Sequence, residues 1–149
     1  MRRERGFTLV ELLVVFAIMA LIAGLAPVAY GRMREASQYR DTVRTIASQL
    51  RSARVIAITE GREARFTLDL QGRQYGLDGL PAKQLPESLQ LRVVVADREI
   101  APGGQAAIRF LPSGGATGGS IEVLRAPGSG VRLRVDWFSG RVTQEVLLP

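Results

Sequence analysis

Between Leu12 and Gly31 the chain carries no charged side chain. That is a run of about 20 residues, the length a helix needs to cross roughly 30 Å of hydrocarbon. Glu11 is the single acid at its threshold, and Arg2, Arg3 and Arg5 precede it against Glu4. Past the run the apolar residues thin out and become periodic: Val43, Ile46, Ala47, Leu50, Ala53 and Ala57 fall at steps of three and four, one face of a helix. Gly61 is its natural stop. Pro27 removes a backbone donor and crowds the preceding turn, which predicts a bend in a helix strong enough to continue through it. Thr8 to Glu60 then reads as one bent helix on the order of 80 Å long.

After Gly61 the period changes to two. Phe66, Leu68 and Leu70 alternate with Arg65, Thr67 and Asp69, and Gln71-Gly72-Arg73 turns the chain into Gln74 to Leu77, a hairpin. Leu89, Leu91, Val93 and Val95 alternate with polar residues; Ile108 and Phe110 flank Arg109, and Ile121 and Val123 flank Glu122. Val131, Leu133, Val135 and Trp137 form one apolar row with Arg132, Arg134 and Asp136 facing water, and a last strand runs from Arg141 to about Leu147. Pro and Gly clusters at 81–86, 102–104, 112–119 and 127–130 are loops. The fold class expected is α+β, a long N-terminal helix packed on an antiparallel sheet domain, with the strands in one sheet or two.

Length permits one small domain beyond the apolar run. Arginines before the run and none within it place the N-terminus in the cytoplasm and the rest across the membrane. The run is longer than the apolar core of a secretory signal peptide, and Ala26-Pro27-Val28-Ala29 has the wrong spacing for its cleavage site, so the segment is expected to stay. The organisation expected is a basic leader over 1–6, a membrane and assembly helix over 7–31, and an exported domain over 32–149. Zero cysteines exclude disulfides, so burial must stabilise that domain. The formal charge of +6 falls to +4 if residues 1–6, with three arginines and one glutamate, are removed. The outer helix carries Arg40, Asp41, Arg44, Arg51 and Arg54, which read as a solvated face, with a basic partner-binding stripe as the alternative.

No active site is expected, and a membrane-tethered enzyme is the least favoured reading. With no histidine or cysteine, the commonest general base and the commonest soft metal ligand are missing. Ser113 has no nucleophile-elbow context. Gly114-Gly115-Ala116-Thr117-Gly118-Gly119 lacks the Gly-Lys-Ser/Thr ending of a phosphate loop and reads as a flexible turn. Asp69, Asp78 and Asp97 are too dispersed for a calcium loop. No catalytic residue, metal, cofactor or small-molecule substrate is expected.

The chemistry concentrates in Gly6-Phe7-Thr8-Leu9-Val10-Glu11. Cleavage between Gly6 and Phe7 would strip the charged leader and leave a cationic amine on Phe7, four residues from Glu11 on the same helical face. That amine and the Glu11 carboxylate can pair within one chain or between neighbours, and pairing offsets the cost of a carboxylate inside an apolar assembly. Thr8-x-x-Glu11 before an apolar run is also a capping box. Both roles are compatible.

Gly6-Phe7-Thr8-Leu9-Val10-Glu11 followed by Leu12-Leu13-Val14-Val15 resembles the N-terminal signature of type IV pilins and type II secretion pseudopilins. The resemblance implies cleavage after Gly6 and N-methylation of Phe7 by a prepilin peptidase, and an inter-subunit role for Glu11. Ile108-Arg109-Phe110-Leu111-Pro112-Ser113-Gly114 with Gly118-Gly119, and Val135-Asp136-Trp137-Phe138-Ser139-Gly140-Arg141-Val142, resemble the C-terminal blocks of the GspH/FimT group of minor subunits; Leu50, Ala53, Arg54 and Ala57 fit its helix. This implies a non-enzymatic part of the periplasmic fibre of a type II secretion system, anchored in the inner membrane. Its implied partners are other pseudopilin subunits and the peptidase. A minor type IV pilin, acting in pilus assembly or DNA uptake, is the alternative. The tail after Arg141 has no further basic residue, so DNA is not expected as a partner.

Overall fold

The computed structural model describes residues 8–95, 100–101, 104–125 and 128–148, with the side chains of 25–29, 32, 100 and 101 outside the description. The bend expected at Pro27 therefore lies outside the described residues. The chain divides into two compact units, Met1–Ser37 and Gln38–Pro149. A single 52-residue helix, α1 (Leu9–Glu60), belongs to both. It ends where expected, at Gly61, whose φ of 64° is the left-handed conformation that caps a helix without a side-chain clash.

In the first unit α1 is uncovered. Every described side chain from Leu9 to Gly24 is exposed, including Leu13, Phe16, Met19 and Leu21. In the second unit the six expected apolar positions of α1 are all buried, and Ile46, Leu50, Ala53 and Ala57 have no accessible surface. Thr42 is buried with them and hydrogen-bonds the Tyr75 phenol, the partner that a buried hydroxyl requires.

The strands form two antiparallel sheets. The first has the order β3-β2-β1-β6-β5, built from β1 (Ala64–Asp69), β2 (Gln74–Leu77), β3 (Lys83–Gln84), β5 (Ile100–Ala101) and β6 (Gln105–Phe110). The second has the order β4-β7-β8-β9, from β4 (Leu89–Val94), β7 (Gly119–Arg125), β8 (Ser129–Val135) and β9 (Val142–Leu147). Phe66, Leu68, Ile108 and Phe110 of the first sheet and Leu89, Ile121, Val123 and Leu133 of the second join the α1 stripe in one core. Alanines at 47, 53 and 57 keep that stripe shallow, so sheet side chains can approach the helix backbone closely.

The expected β1–β2 hairpin forms with Phe66 opposite Leu77 and Leu68 opposite Tyr75. The short strands β3 and β5 are additions: β3 lies in a segment that reads as a loop, and its two residues pair with Gln74 and Tyr75. Two apolar rows stop short of expectation. Leu70 follows the last residue of β1 and is exposed. Trp137 is not part of the inward row of β8; it is 69% exposed. The strand ends at Val135, and Asp136 begins a turn in which Asp136 N–H donates to the Arg141 carbonyl and Gly140 N–H to the Asp136 carbonyl, so the period-two alternation stops one residue before the tryptophan.

Two substitutions test the helix–sheet contact. Leu50→Ala should lower the unfolding free energy by about 2–5 kcal/mol, and Ala53→Leu should lower it by about 1–3 kcal/mol through overpacking, both read by denaturant titration. Retention of full stability by Ala53→Leu would contradict a close helix–sheet approach.

Candidate functional site

Gly6 and Phe7 lie outside the described residues. Glu11 lies in the first turn of α1, where the two halves of a capping box are present: Glu11 N–H donates to Thr8 Oγ1 at 3.3 Å, and Thr8 N–H donates to Glu11 Oε2 at 3.4 Å. Both contacts are long, and they engage only one carboxylate oxygen. Among the described residues the other oxygen accepts no hydrogen bond. Around this turn, Thr8, Leu9, Leu12, Leu13 and Phe16 line a shallow apolar hollow. An apolar surface on all sides of a helix belongs in lipid or against other apolar helices. Among the described residues no helix is long and apolar enough to cross a membrane; residues 25–29, whose side chains lie outside them, fall within the uncharged run.

The two C-terminal blocks meet at the far end of the second unit, joined by Arg54. Its Nε–H is shared between the Ser139 carbonyl at 2.9 Å and the Gly114 carbonyl at 3.2 Å, tying the end of α1 to segments 60 and 85 residues away. Arg54 is thus half-buried and engaged, not part of a solvated basic face. Gly140 is required here: its φ is 61°, and a Cβ would collide with the Gly114 carbonyl and press the Arg54 side chain at 3.1 Å. The glycine-rich segment is correspondingly a packed element. Gly114, Gly115 and Gly118 are buried, Ala116 N–H donates to the Trp137 carbonyl, and Thr117 N–H to the Arg109 carbonyl.

This pinned turn presents Trp137 and Phe138 edge-on at 5.7 Å, both largely in solvent. Asp136 Oδ1 accepts from Ser139 N–H at 2.8 Å and Ser139 Oγ–H at 2.7 Å, bonds that hold its carboxyl below the usual carboxylate range.

The sequence pattern gave no warning of Glu122. It is 5% exposed, on the face of the second sheet opposite the core. The register places Arg92, Glu122, Arg132 and Glu145 directly opposite one another across β4, β7, β8 and β9. Arg132 donates to Glu122 Oε1 at 2.7 Å and Arg92 to Oε2 at 3.3 Å, and Arg132 lies 3.6 Å from Glu145. Alternating charges directly opposite on one face favour this register over any slip.

Elsewhere the acids act locally. Asp69 accepts from Gly72 N–H at 2.7 Å in the β1–β2 turn, and Asp78 from the Thr67 hydroxyl at 3.5 Å; Asp97 lies outside the described residues. Among the described residues no group of three or more His, Cys, Asp or Glu could hold a metal ion.

Comparison with known proteins gives two family matches. Residues 1–27 match the prokaryotic N-terminal methylation motif, and residues 42–140 match the type II transport protein GspH. The chain is 35% identical over 141 residues to the type II secretion system protein H of Xanthomonas campestris pv. campestris, covering 95% of this chain and 83% of that one. It is 28% identical over 131 residues to a fimbrial protein of Pseudomonas aeruginosa, covering 88% and 84%. In fold it resembles the minor pseudopilin EpsH from the type 2 secretion system of Vibrio cholerae, with TM-score 0.55 and 19% identity over 75% of this chain and 98% of that one.

Two tests address the far end. Arg54→Ala should cost about 1–3 kcal/mol of stability, since a charged donor leaves two carbonyls unsatisfied. Asp136 has a lowered folded pKa, so its contribution is present above the unfolded value and is lost as pH falls through the folded one. Asp136→Asn should therefore flatten the acid limb of a stability–pH curve below about pH 4. An unchanged limb in urea titrations would contradict the assignment.

Proposed function

Because the chain belongs to the type II transport protein GspH family, we propose that it acts as a minor pseudopilin of a type II secretion system, a structural subunit of the periplasmic fibre that moves folded proteins across the outer membrane. The observation that carries the reading is the GspH match over residues 42–140 joined to a methylation motif over 1–27 in one chain. Fimbrial relatives are more distant, which favours secretion over pilus assembly. The subunit works by assembly and not by catalysis.

In this proposal residues 1–6 are a leader cut away after Gly6, and Phe7 becomes the N-terminal residue and is methylated. Residues 7–31 anchor the chain in the inner membrane with the N-terminus in the cytoplasm, and residues 32–149 lie in the periplasm. Leu12 to Gly31 supply the uncharged run that supports the anchor. Gly6 offers the peptidase an unhindered backbone. The amine of Phe7 is largely cationic near neutral pH, and its place four residues before Glu11 in the sequence makes it a candidate partner for that carboxylate.

A lone subunit holds Glu11 near the headgroups and satisfies it through Thr8. When helices pack side by side and leave that layer, a carboxylate without a cation becomes costly, by roughly 2.5–3.5 kcal/mol at mid-membrane on insertion scales. Pairing with a neighbour's amine offsets that cost and sets the axial register of the fibre.

Replacing Gly6 by a bulky residue should leave the leader attached in intact-mass spectra; normal maturation of that variant would falsify the cleavage assignment. Glu11→Ala should insert into membranes as the wild type does but enter the sheared fibre fraction at a small fraction of its level. Equal incorporation would count against the pairing role.

A further inference from the structure

An open groove of about 310 Å³ lies between the outer part of α1 and the β8–β9 side of the second sheet. Val43, Ala47 and Val131, all buried, and the half-buried Tyr39 give it an apolar floor. Its rim carries Arg40, Arg44 and Arg51, all exposed. Positions i, i+4 and i+11 fall within about 40° of one another on a helix, so the three arginines share a face and extend roughly 16 Å along the axis.

None of the three makes an ion pair among the described residues, whereas Arg62, Arg92, Arg109 and Arg132 each have a carboxylate. Arg125 adds a further positive charge over the Tyr39 ring, 5.0 Å from its centroid. Like charges at i, i+4 repel, so this face gains from an incoming acid.

We infer that the groove docks the acidic, partly apolar helix face of a different subunit of the same fibre, with carboxylates meeting the arginine rim and small apolar side chains meeting the floor. This rests on the fibre-subunit reading above. A second copy of this chain fits poorly, because its net charge is +4 once residues 1–6 are removed and Glu60, Glu63, Glu122 and Glu145 are already paired with arginines. A nucleic-acid backbone would answer the rim and leave the apolar floor unmatched. In the anchored orientation proposed above, a lipid headgroup layer roughly 5–8 Å deep is shorter than the stripe of roughly 16 Å.

The test uses the full chain in detergent micelles and a helical peptide with glutamates at i, i+4 and i+11 separated by leucine and alanine. Its controls are the glutamine analogue, a 12-base-pair DNA duplex and a short-chain anionic lipid. The glutamate peptide should bind more tightly than every control. R40E/R44E/R51E should weaken it by about tenfold or more, and the triple lysine variant should keep affinity within a few-fold. Tighter binding of the duplex or the lipid, or binding unchanged by charge reversal, would overturn the inference.

In cells, R40E/R44E/R51E should be processed and inserted normally yet be depleted from the fibre fraction. Normal incorporation of this variant refutes the docking role. Absence of the wild-type chain itself from the fibre would refute the subunit reading instead.

Discussion

The buried stripe of α1 is the contact on which the rest of the second unit depends. Each sheet has one apolar face, and a sheet of four or five short strands cannot hide that face alone. Val43, Ile46, Ala47, Leu50, Ala53 and Ala57 enter the same core as Phe66 and Phe110 from one sheet and Ile121 and Leu133 from the other. Burial of this kind is worth roughly 25 cal/mol per Å² of apolar surface, and no disulfide assists it. The helix is therefore structural support for the domain as well as its extension.

The same helix continues into surroundings of a different kind. In its first part apolar side chains point outward on every side, which is unfavourable in water and favourable in lipid or among like helices. The Thr8–Glu11 capping box gives that segment a defined start. At the other end, Arg54 converts the last turns of α1 into a fixed point for the Gly114 and Ser139 segments, and the aromatic pair at 137–138 is held out by backbone bonds instead of side-chain burial. An apolar helix surface in the first unit and a tightly pinned turn in the second are features that suit a subunit of an assembly.

Much of the fold was legible because periodicity reports burial directly. Steps of three and four picked out the buried positions of α1, and alternation picked out Phe66, Leu68, Ile108, Phe110, Ile121, Val123 and Leu133. Illegible features depend on contacts between distant segments. Arg54 reads as one more arginine on a polar face, because its acceptors lie 60 and 85 residues away. Glu122 reads as the polar member of an alternating strand and is buried only because Arg92 and Arg132 flank it in register. Trp137 continues an apolar row on paper, but the turn closed by Asp136 and Arg141 removes it from the pleat. The Thr8-x-x-Glu11 spacing was enough to indicate the capping bonds; a role in pairing with a neighbour needs a second chain.

Secretion and pilus assembly predict different losses from the same deletion. The most direct measurement removes the gene from its native host and follows both outputs, export of folded proteins to the medium and pilus-dependent DNA uptake, with the full chain supplied back. The account predicts that export fails and is restored by the full chain while DNA uptake is unchanged. Normal export with loss of DNA uptake would contradict it.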